Sequence, residues 1–494
     1  MANEIELKLA LPEAAQRAFL RHPLLKNATA KHAAQLVSIY YDTPDLALRK
    51  SGVALRLRRQ GRTWLQTVKC AGSCAAGLST RPEWEAPYGG HFDFSPIDDD
   101  AVRARLEKGK VRSRLMPLFE TSFRRTTWSF DGVLLMLDRG WIAADGRRQA
   151  ISELELELAG GDIGALFALA EKLAERLPLM PAPLSKAERG FRLHLGSEAA
   201  PCRAGEVALA PDMAPLAAFR TIALSCLEHA QQNYLGTIGT EDPEYIHQMR
   251  VATRRLRAAM RLFAPLLPPG FAEALLTPLR EMMARLGAAR DLDVLLAEIA
   301  APVMVALPDE PRLAALAGII TDRRYAARDH AVRLLESHKF GQLLLHIAAL
   351  LHEAPFIDGT GDSPAADFAS ERLRKLSRKV RRLAEQARTD DPVSLHALRI
   401  GIKRLRYALE FFAPLARSKA RRRLAIKLAA VQGTLGELND LANAGRLLMD
   451  CASNDERLRE AVTLIAGWHG PRHARLMAEL PKLLADLRQL PRLA

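Results

Sequence analysis

The sequence predicts an α+β multidomain chain in which an antiparallel β unit precedes an all-α unit. Three observations carry that expectation. Up to about residue 195 the chain alternates apolar and charged residues in short runs, such as Ile5-Glu6-Leu7-Lys8 and Leu154-Glu155-Leu156-Glu157, divided by Gly, Pro and Asp. A period of two is that of a strand with one buried face. From about residue 213 the period becomes 3.6 in long Ala/Leu/Arg segments, the pattern of amphipathic helices. Within that second region, residues 247–266 align without a gap on 396–415, and the same offset carries 286–292 onto 435–441. A constant offset across two separated segments marks an internal repeat.

Taken in order, residues 1–195 form the β unit, interrupted by helical patches at 13–21 and 163–177. Residues 196–212, rich in Gly, Ala and Pro, read as a linker. Residues 213–490 form the helical unit, with copies at about 213–355 and 365–490. Each copy is long enough for about four helices, so two pseudo-twofold-related four-helix bundles are expected. A prior of roughly 150 residues per domain suggests about three structural units, which one β unit and two helical halves satisfy.

The formal charge of +14 and pI near 9.8 ask for an acidic partner: nucleic acid, polyphosphate or an anionic membrane surface. The five cysteines are scattered and build neither a zinc pattern nor a disulfide framework, so reduced thiols are expected. The N-terminus carries Glu4 and Glu6 where a signal peptide needs a basic segment and an apolar core. No apolar run reaches the roughly 18 residues needed to span a bilayer, and the longest candidate, 343–351, contains His346. A cytoplasmic location follows as the expectation, with no membrane partner.

On a strand, Glu4, Glu6 and Lys8 share one face, as do Arg56 with Arg58, Glu83 with Glu85, and Glu153 with Glu155 and Glu157. A solvated face usually mixes signs, whereas the last set is purely acidic and Arg56 with Arg58 purely basic. Like charges two residues apart repel unless an opposite charge lies between them. A divalent cation would relieve the acids, and a phosphate chain the bases. Mg2+ and Mn2+ take carboxylate oxygens, here Glu4, Glu6, Glu153 and Glu155. Lys8, Arg56, Arg58, Lys69 and Lys186 would neutralise phosphates. Closing such strands into a barrel would turn every charge inward.

These residues carry a resemblance. Glu4-x-Glu6-x-Lys8, residues 40–44 (Tyr40, Tyr41, Asp42, Thr43, Pro44), Arg56-x-Arg58, Lys69, Glu83-x-Glu85, Arg125 three residues before Trp128, Asp138, Glu153-x-Glu155 and Ser185-Lys186 occur in the order seen in the CYTH, or triphosphate tunnel metalloenzyme, family. The resemblance covers essentially all of residues 1–195 and implies an antiparallel eight-stranded tunnel that cleaves a triphosphate with Mg2+ or Mn2+. It implies Glu4, Glu6, Asp138, Glu153 and Glu155 as metal ligands or water-orienting groups. Lys8, Arg56, Arg58, Lys69, Arg125 and Lys186 would bind phosphate, and the catalytic set would be Glu4, Glu6 and Lys8 with a contribution from Glu85. The sequence offers no clear pocket for a base, which favours inorganic triphosphate over thiamine triphosphate, ATP or an RNA 5′ end.

In the helical unit, His247, Arg250, Arg254 and Arg257 fall in an arc of roughly 80° at 100° per residue, and His396, Arg399, Lys403 and Arg406 repeat that stripe. Almost no acid lies at the i+4 positions that usually partner arginine on a solvated helix. Pseudo-twofold packing would set the stripes opposite one another and make a basic groove. The two stripes and the Leu-Gly-x-x-(Arg/Asn)-Asp-Leu segments resemble the CHAD domain over roughly 213–490, which implies polyphosphate binding by those eight residues and an association with polyphosphate granules. Nucleic acid is the weaker partner, because the stripes lack interleaved aromatics for stacking, Tyr407 being the only one near their polar edge. Two rival readings stay open: a polyphosphate-targeting protein without hydrolysis, and a triphosphatase acting on an organic triphosphate.

Overall fold

The computed structural model describes residues 2–182, 184–196, 200–352, 363–415 and 419–489. The chain divides into two compact units, Met1–Ala200 with Leu335–Glu353, and Pro201–Leu334 with Ala354–Ala494. The strands, all in the first unit, are β1 (Ala2–Ala10), β2 (Ala30–Asp42), β3 (Val53–Gln60), β4 (Thr63–Cys70), β5 (Ser73–Ala75), β6 (Leu78–Pro87), β7 (Met116–Phe130), β8 (Val133–Ala144), β9 (Arg147–Leu158) and β10 (Met180–Pro181). The helices begin with α1 (Gln16–Leu20), α2 (Ala47–Lys50), α3 (Asp100–Glu107), α4 (Gly109–Arg112), α5 (Ile163–Ala174) and α6 (Lys186–Leu195). They continue with α7 (Pro215–Gly239), α8 (Pro243–Phe263), α9 (Phe271–Val294), α10 (Ala301–Ala306), α11 (Pro311–Glu336) and α12 (His338–Leu351). The last four are α13 (Ala365–Gln386), α14 (Pro392–Phe411), α15 (Lys419–Ala452) and α16 (Glu456–Arg488).

Eight strands follow one another in the order β1-β9-β8-β7-β2-β3-β4-β6, and β6 returns to β1 with Glu4 opposite Arg81 and Glu6 opposite Ser79. The ring is antiparallel throughout, so the sequence expectation of a closed eight-stranded barrel holds. The short β5 and β10 lie beside β6 and β1. Closure gives each strand an inside and an outside, and the period of two then sorts the side chains. Leu7, Leu9, Leu55, Leu135, Leu137, Leu154 and Leu156 are buried on one face, and the charged residues between them point into the barrel.

Two helix starts explain motif residues that carry no charge into the interior. The Asp42 carboxylate is buried and accepts from the backbone N–H of Thr43 at 2.7 Å and of Leu48 and Arg49 at 2.9 Å, which fixes the turn into α2. Ser185 is the N-cap of α6, its Oγ accepting from Glu188 N at 3.1 Å. That cap sets Lys186 at the first helical position. Gly190 lets α6 approach the barrel, because a Cβ there would sit 2.1 Å from the Phe119 ring.

Helix α12 packs against α5 and belongs to the first unit, although the sequence pattern places its residues inside the first helical copy, about 213–355. Phe340, Leu344, Leu345, Ile347, Ala348 and Leu351 are buried, and His346 Nδ1 lies 3.1 Å from the Glu171 carboxylate. An apolar run of this length reads equally well as any core helix, so its partner was invisible in the sequence. Among the described residues no helix is long and apolar enough to cross a membrane.

In the second unit the repeat extends into the caps. Asp242 accepts from Glu244 N ahead of Pro243, and Asp391 accepts from Val393 N ahead of Pro392, at the same offset. The copies differ where α9 passes into a π-helical stretch, Leu295–Ala300, while α15 continues as one helix. A π turn leaves backbone groups unpaired, and the buried His469 donates from Nε2 to the Ile299 carbonyl at 2.9 Å. The segment expected as a linker has no helix or strand among its described residues, yet Val207 and Leu209 are buried and Cys202 N donates to Asn233 Oδ1 on α7.

Gly190→Val should force α6 off the Phe119 ring and destabilise the first unit by about 1–3 kcal/mol. Urea unfolding followed by tryptophan fluorescence would measure this, since Trp64, Trp84, Trp128 and Trp141 all lie in that unit. Gly89→Ala, where a Cβ meets nothing within 4 Å, is expected to leave the midpoint unchanged.

Candidate active site and cationic cavity

The barrel encloses a cavity of about 230 Å³ lined by Glu4, Glu6, Lys8, Arg56, Arg58, Lys69, Arg81, Arg125, Glu155 and Lys186 among others. Its charges neutralise one another in three linked groups. Asp138, Glu153 and Glu155 are all buried, and each offers a carboxylate oxygen within 4.8 Å of the others. Arg125 grips Asp138 in a fork, Nε to Oδ1 at 2.8 Å and Nη2 to Oδ2 at 2.6 Å, and also contacts Glu155. Lys186 Nζ lies 2.6 Å from Asp138 and 2.9 Å from Glu155 and contacts Glu153, which Arg189 also holds at 2.9 Å.

The second group joins β1 to β9 and β6. Lys8 Nζ lies 3.2 Å from Glu6 and 3.6 Å from Glu155. Arg81 contacts Glu6 and reaches Glu4 at 3.3 Å. In the third group, Lys69 bridges Glu4 at 2.6 Å and Glu83 at 2.7 Å, and Arg56 meets Glu83 at 3.4 Å.

Burial and neighbours set the protonation states. Burial would pull Lys186 down, but Asp138, Glu153 and Glu155 more than reverse it, so the ammonium is held. Burial would likewise raise Glu155, and Lys186, Arg125 and Lys8 keep it well below the usual carboxylate range. Arg58 differs: burial, Arg56 and Arg125 push its guanidinium down to about 10, and its hydrogen bond is to the Ser38 hydroxyl at 3.4 Å. Among the described residues it has no carboxylate partner. Arg56 and Arg58 lower the Tyr40 phenol against the effect of burial. Glu157 faces Glu6 across the β1–β9 ladder, and burial, Glu4 and Glu6 raise its carboxyl.

The fold therefore brings together Glu4, Glu6, Lys8, Arg56, Arg58, Lys69, Arg125, Asp138, Glu153, Glu155 and Lys186. Glu85 is exposed and accepts from Thr67 Oγ1 at 3.1 Å, outside the residues that line the cavity. Sequence reasoning missed Arg81 and Arg189. Arg81 has the same strand parity as Glu83 and Glu85, so alternation alone would have found it; Arg189 lies one helical turn beyond Lys186. The three buried carboxylates fit a hard divalent cation, because they supply only oxygen donors and converge within ion-binding distance.

In the second unit, α8, α9, α14 and α15 surround a cavity of about 260 Å³ lined by His247, Arg250, Arg254, Arg290, Arg399 and Lys403 together with Asp291 and Asp440. Arg250 is held by Asp291 at 2.7 Å. Arg254, Arg399 and Lys403 have no ion pair among the described residues, and the buried Nε of both arginines lacks any hydrogen-bond partner. Burial, then Arg399 and Arg254, push Lys403 down to about 8. Burial and Arg290 lower His247. The remaining stripe residues lie elsewhere: Arg257 is near Arg261, His396 is exposed, and Arg406 lines a separate depression with Lys419 and Arg422.

Comparison with known proteins bears on both units. Residues 2–191 match the family profile of the CYTH domain and residues 221–449 that of the CHAD domain. An inorganic triphosphatase of Haemophilus influenzae is 32% identical over 200 residues, 39% of this chain and 55% of that protein. The match thus spans about half of that relative. An uncharacterized protein of Mycobacterium tuberculosis is 26% identical over 404 residues, 76% of this chain and 75% of that protein. The crystal structure of the CHAD domain from the plant Ricinus communis is 38% identical with a TM-score of 0.53, covering 60% of this chain and 99% of that one. The chain belongs to both families: a CYTH domain at residues 2–191 precedes a CHAD domain at residues 221–449.

Proposed function

We propose that the barrel hydrolyses inorganic triphosphate to diphosphate and phosphate with Mg2+ or Mn2+, and that the helical unit binds inorganic polyphosphate. The observation that carries the first part is the interior in which Asp138, Glu153 and Glu155 converge beside six or more cations. A site meant only to hold an anion would be weakened by these acids. The similarity to the Haemophilus influenzae triphosphatase supports the same reading.

Asp138, Glu153 and Glu155 would hold the divalent ion, with Glu4 and Glu6 nearby; when bound, such an ion neutralises phosphate oxygens and acidifies a water. The chain's own groups do the rest. Arg56, Arg58, Lys69 and Arg81 would orient the phosphate chain, and Arg125, Lys8 and Lys186 would stabilise charge on the transferring group. A water oxygen bonds to the terminal phosphorus as the P–O bond to diphosphate breaks, and the water's proton passes to solvent. The cavity is smaller than the roughly 300–1,000 Å³ of typical small-molecule sites. Its two lining aromatics are already engaged, Tyr40 stacked on Phe119 at 4.6 Å and Phe191 edge-on to Phe119 at 5.0 Å. With both rings packed on Phe119 and the Arg49 guanidinium over Phe191, the lining is dominated by cations rather than by stacking surface, which supports an inorganic substrate.

Purified protein should release phosphate from inorganic triphosphate with Mg2+ or Mn2+, lose that activity in EDTA, and regain it on metal addition. Glu4→Gln is expected to lower turnover about 100-fold. Folded wild-type protein that releases no phosphate with either metal would show the hydrolytic reading to be wrong.

For the helical unit the unpaired Arg254, Arg399 and Lys403 are the supporting observation, since an anion would complete them. Lys403 is charged below its value of about 8 and neutral above it. Polyphosphate affinity should therefore be greatest below pH 8 and fall as pH rises through it, by up to about tenfold per pH unit for one linked proton. Lys403→Arg, measured by fluorescence anisotropy with labelled polyphosphate, should flatten that profile.

A further inference from the structure

The repeat pairs Arg255 with Arg404 and Glu410 with Arg261, and the two pairs meet opposite fates. In one, Arg255 is 1% exposed and its Nε lies 2.8 Å from the Glu410 carboxylate. In the other, the position equivalent to the glutamate is Arg261, so Arg404 faces a second guanidinium instead of a carboxylate. The neighbouring helices change with them. Beside Arg255, α7 presents the buried Ala223, Cys226 and Ala230; at the same offset on α13 stand Arg372, Lys375 and Lys379. Phe219 and Phe368, and Leu224 and Leu373, keep the two helices in register.

The result is a depression of about 260 Å³ between α8, α13 and α14, lined by Arg261, Arg372, Lys375, Lys379 and Arg404. No carboxylate lines it among the described residues, and Glu371, one turn before Lys375 on α13, pairs with that lysine. The buried Nε atoms of Arg372 and Arg404 have no hydrogen-bond partner, as is also true of Arg255 Nε, but Arg255 has the Glu410 ion pair and neither Arg372 nor Arg404 has one among the described residues. Burial, then Arg257 and Arg404, lower Arg261. Leu262 and Ala408 form the apolar floor.

We propose that this depression is a phosphate-oxyanion site, separate from the stripe cavity, in which a bound anion takes the place that Glu410 fills in the other half. Guanidinium forks match phosphate oxygens in pairs, and Arg261, Arg372 and Arg404 supply three. The site does not depend on hydrolysis in the barrel or on the stripe cavity. Its occupant is either a free small anion such as diphosphate or a segment of a polyphosphate chain.

The test is calorimetric titration of the full chain in EDTA with inorganic diphosphate and, separately, long-chain polyphosphate. Arg261→Glu restores for Arg404 the pair that Arg255 already has, so it should raise the melting temperature in phosphate-free buffer and remove one diphosphate per chain. Arg372→Ala should remove the same site without the added acid. A loss confined to long-chain polyphosphate assigns a chain segment as the occupant. Unchanged binding of both ligands in both variants overturns the site. Arg254→Ala with Lys403→Ala serves as the separate arm: it tests the stripe cavity and should leave the Arg261-dependent loss intact.

Discussion

Pairing of β1 with both β9 and β6 turns a sheet into an enclosed interior, and the electrostatics of the first unit follow from that closure. Once the ring is shut, strand alternation sends Glu4, Glu6 and Lys8 inward together with the acids of β9 and the arginines of β3. A buried isolated charge is costly, so an interior of this composition is stable only if acids and bases are interleaved. The register supplies this: Glu4 opposite Arg81, Lys8 opposite Glu155, Lys69 opposite Glu83, and Arg125 opposite Asp138. Lys186, delivered from a helix rather than a strand, completes the acidic trio.

The helical unit solves the opposite problem. Its central cavity collects cations from both copies with few acids to offset them, and burial together with mutual repulsion lowers Lys403 and Arg399. Duplication supplies the symmetry of the stripes, while divergence makes the two halves structurally unequal. The π-helical stretch at Leu295–Ala300 borders the cavity in one copy only, and His469 satisfies a carbonyl there. The Glu410-to-Arg261 exchange is a second such divergence.

Much of this was legible because it rests on short-range pattern. Alternation gave the barrel strands and much of the interior set, the family resemblance added Arg125 and Asp138, and the gapless repeat gave the paired basic helices. What escaped depended on three-dimensional neighbours. Arg81 shares the parity of Glu83 and was readable by alternation, but its partners Glu4 and Glu6 on the neighbouring strand were not. Glu85 shares parity with Glu83 yet lies two residues farther along β6 and is exposed. Parity selects a face; depth along the barrel is set by register, which a single strand does not encode. The placement of α12 on the first unit is likewise a packing fact without a periodic signature.

The mutual neutralisation of the barrel interior has a thermodynamic consequence. On the proposed reading, a cation entering alone would displace Lys186 and Arg125 from their carboxylates and leave them without counter-charges, while an anion entering alone would strip Lys69 and Arg56 from Glu4 and Glu83. Entering together, each ligand compensates the groups the other sets free. The two affinities would then be coupled and reciprocal: whatever factor metal added to the hold on the anion, the anion would return to the hold on metal.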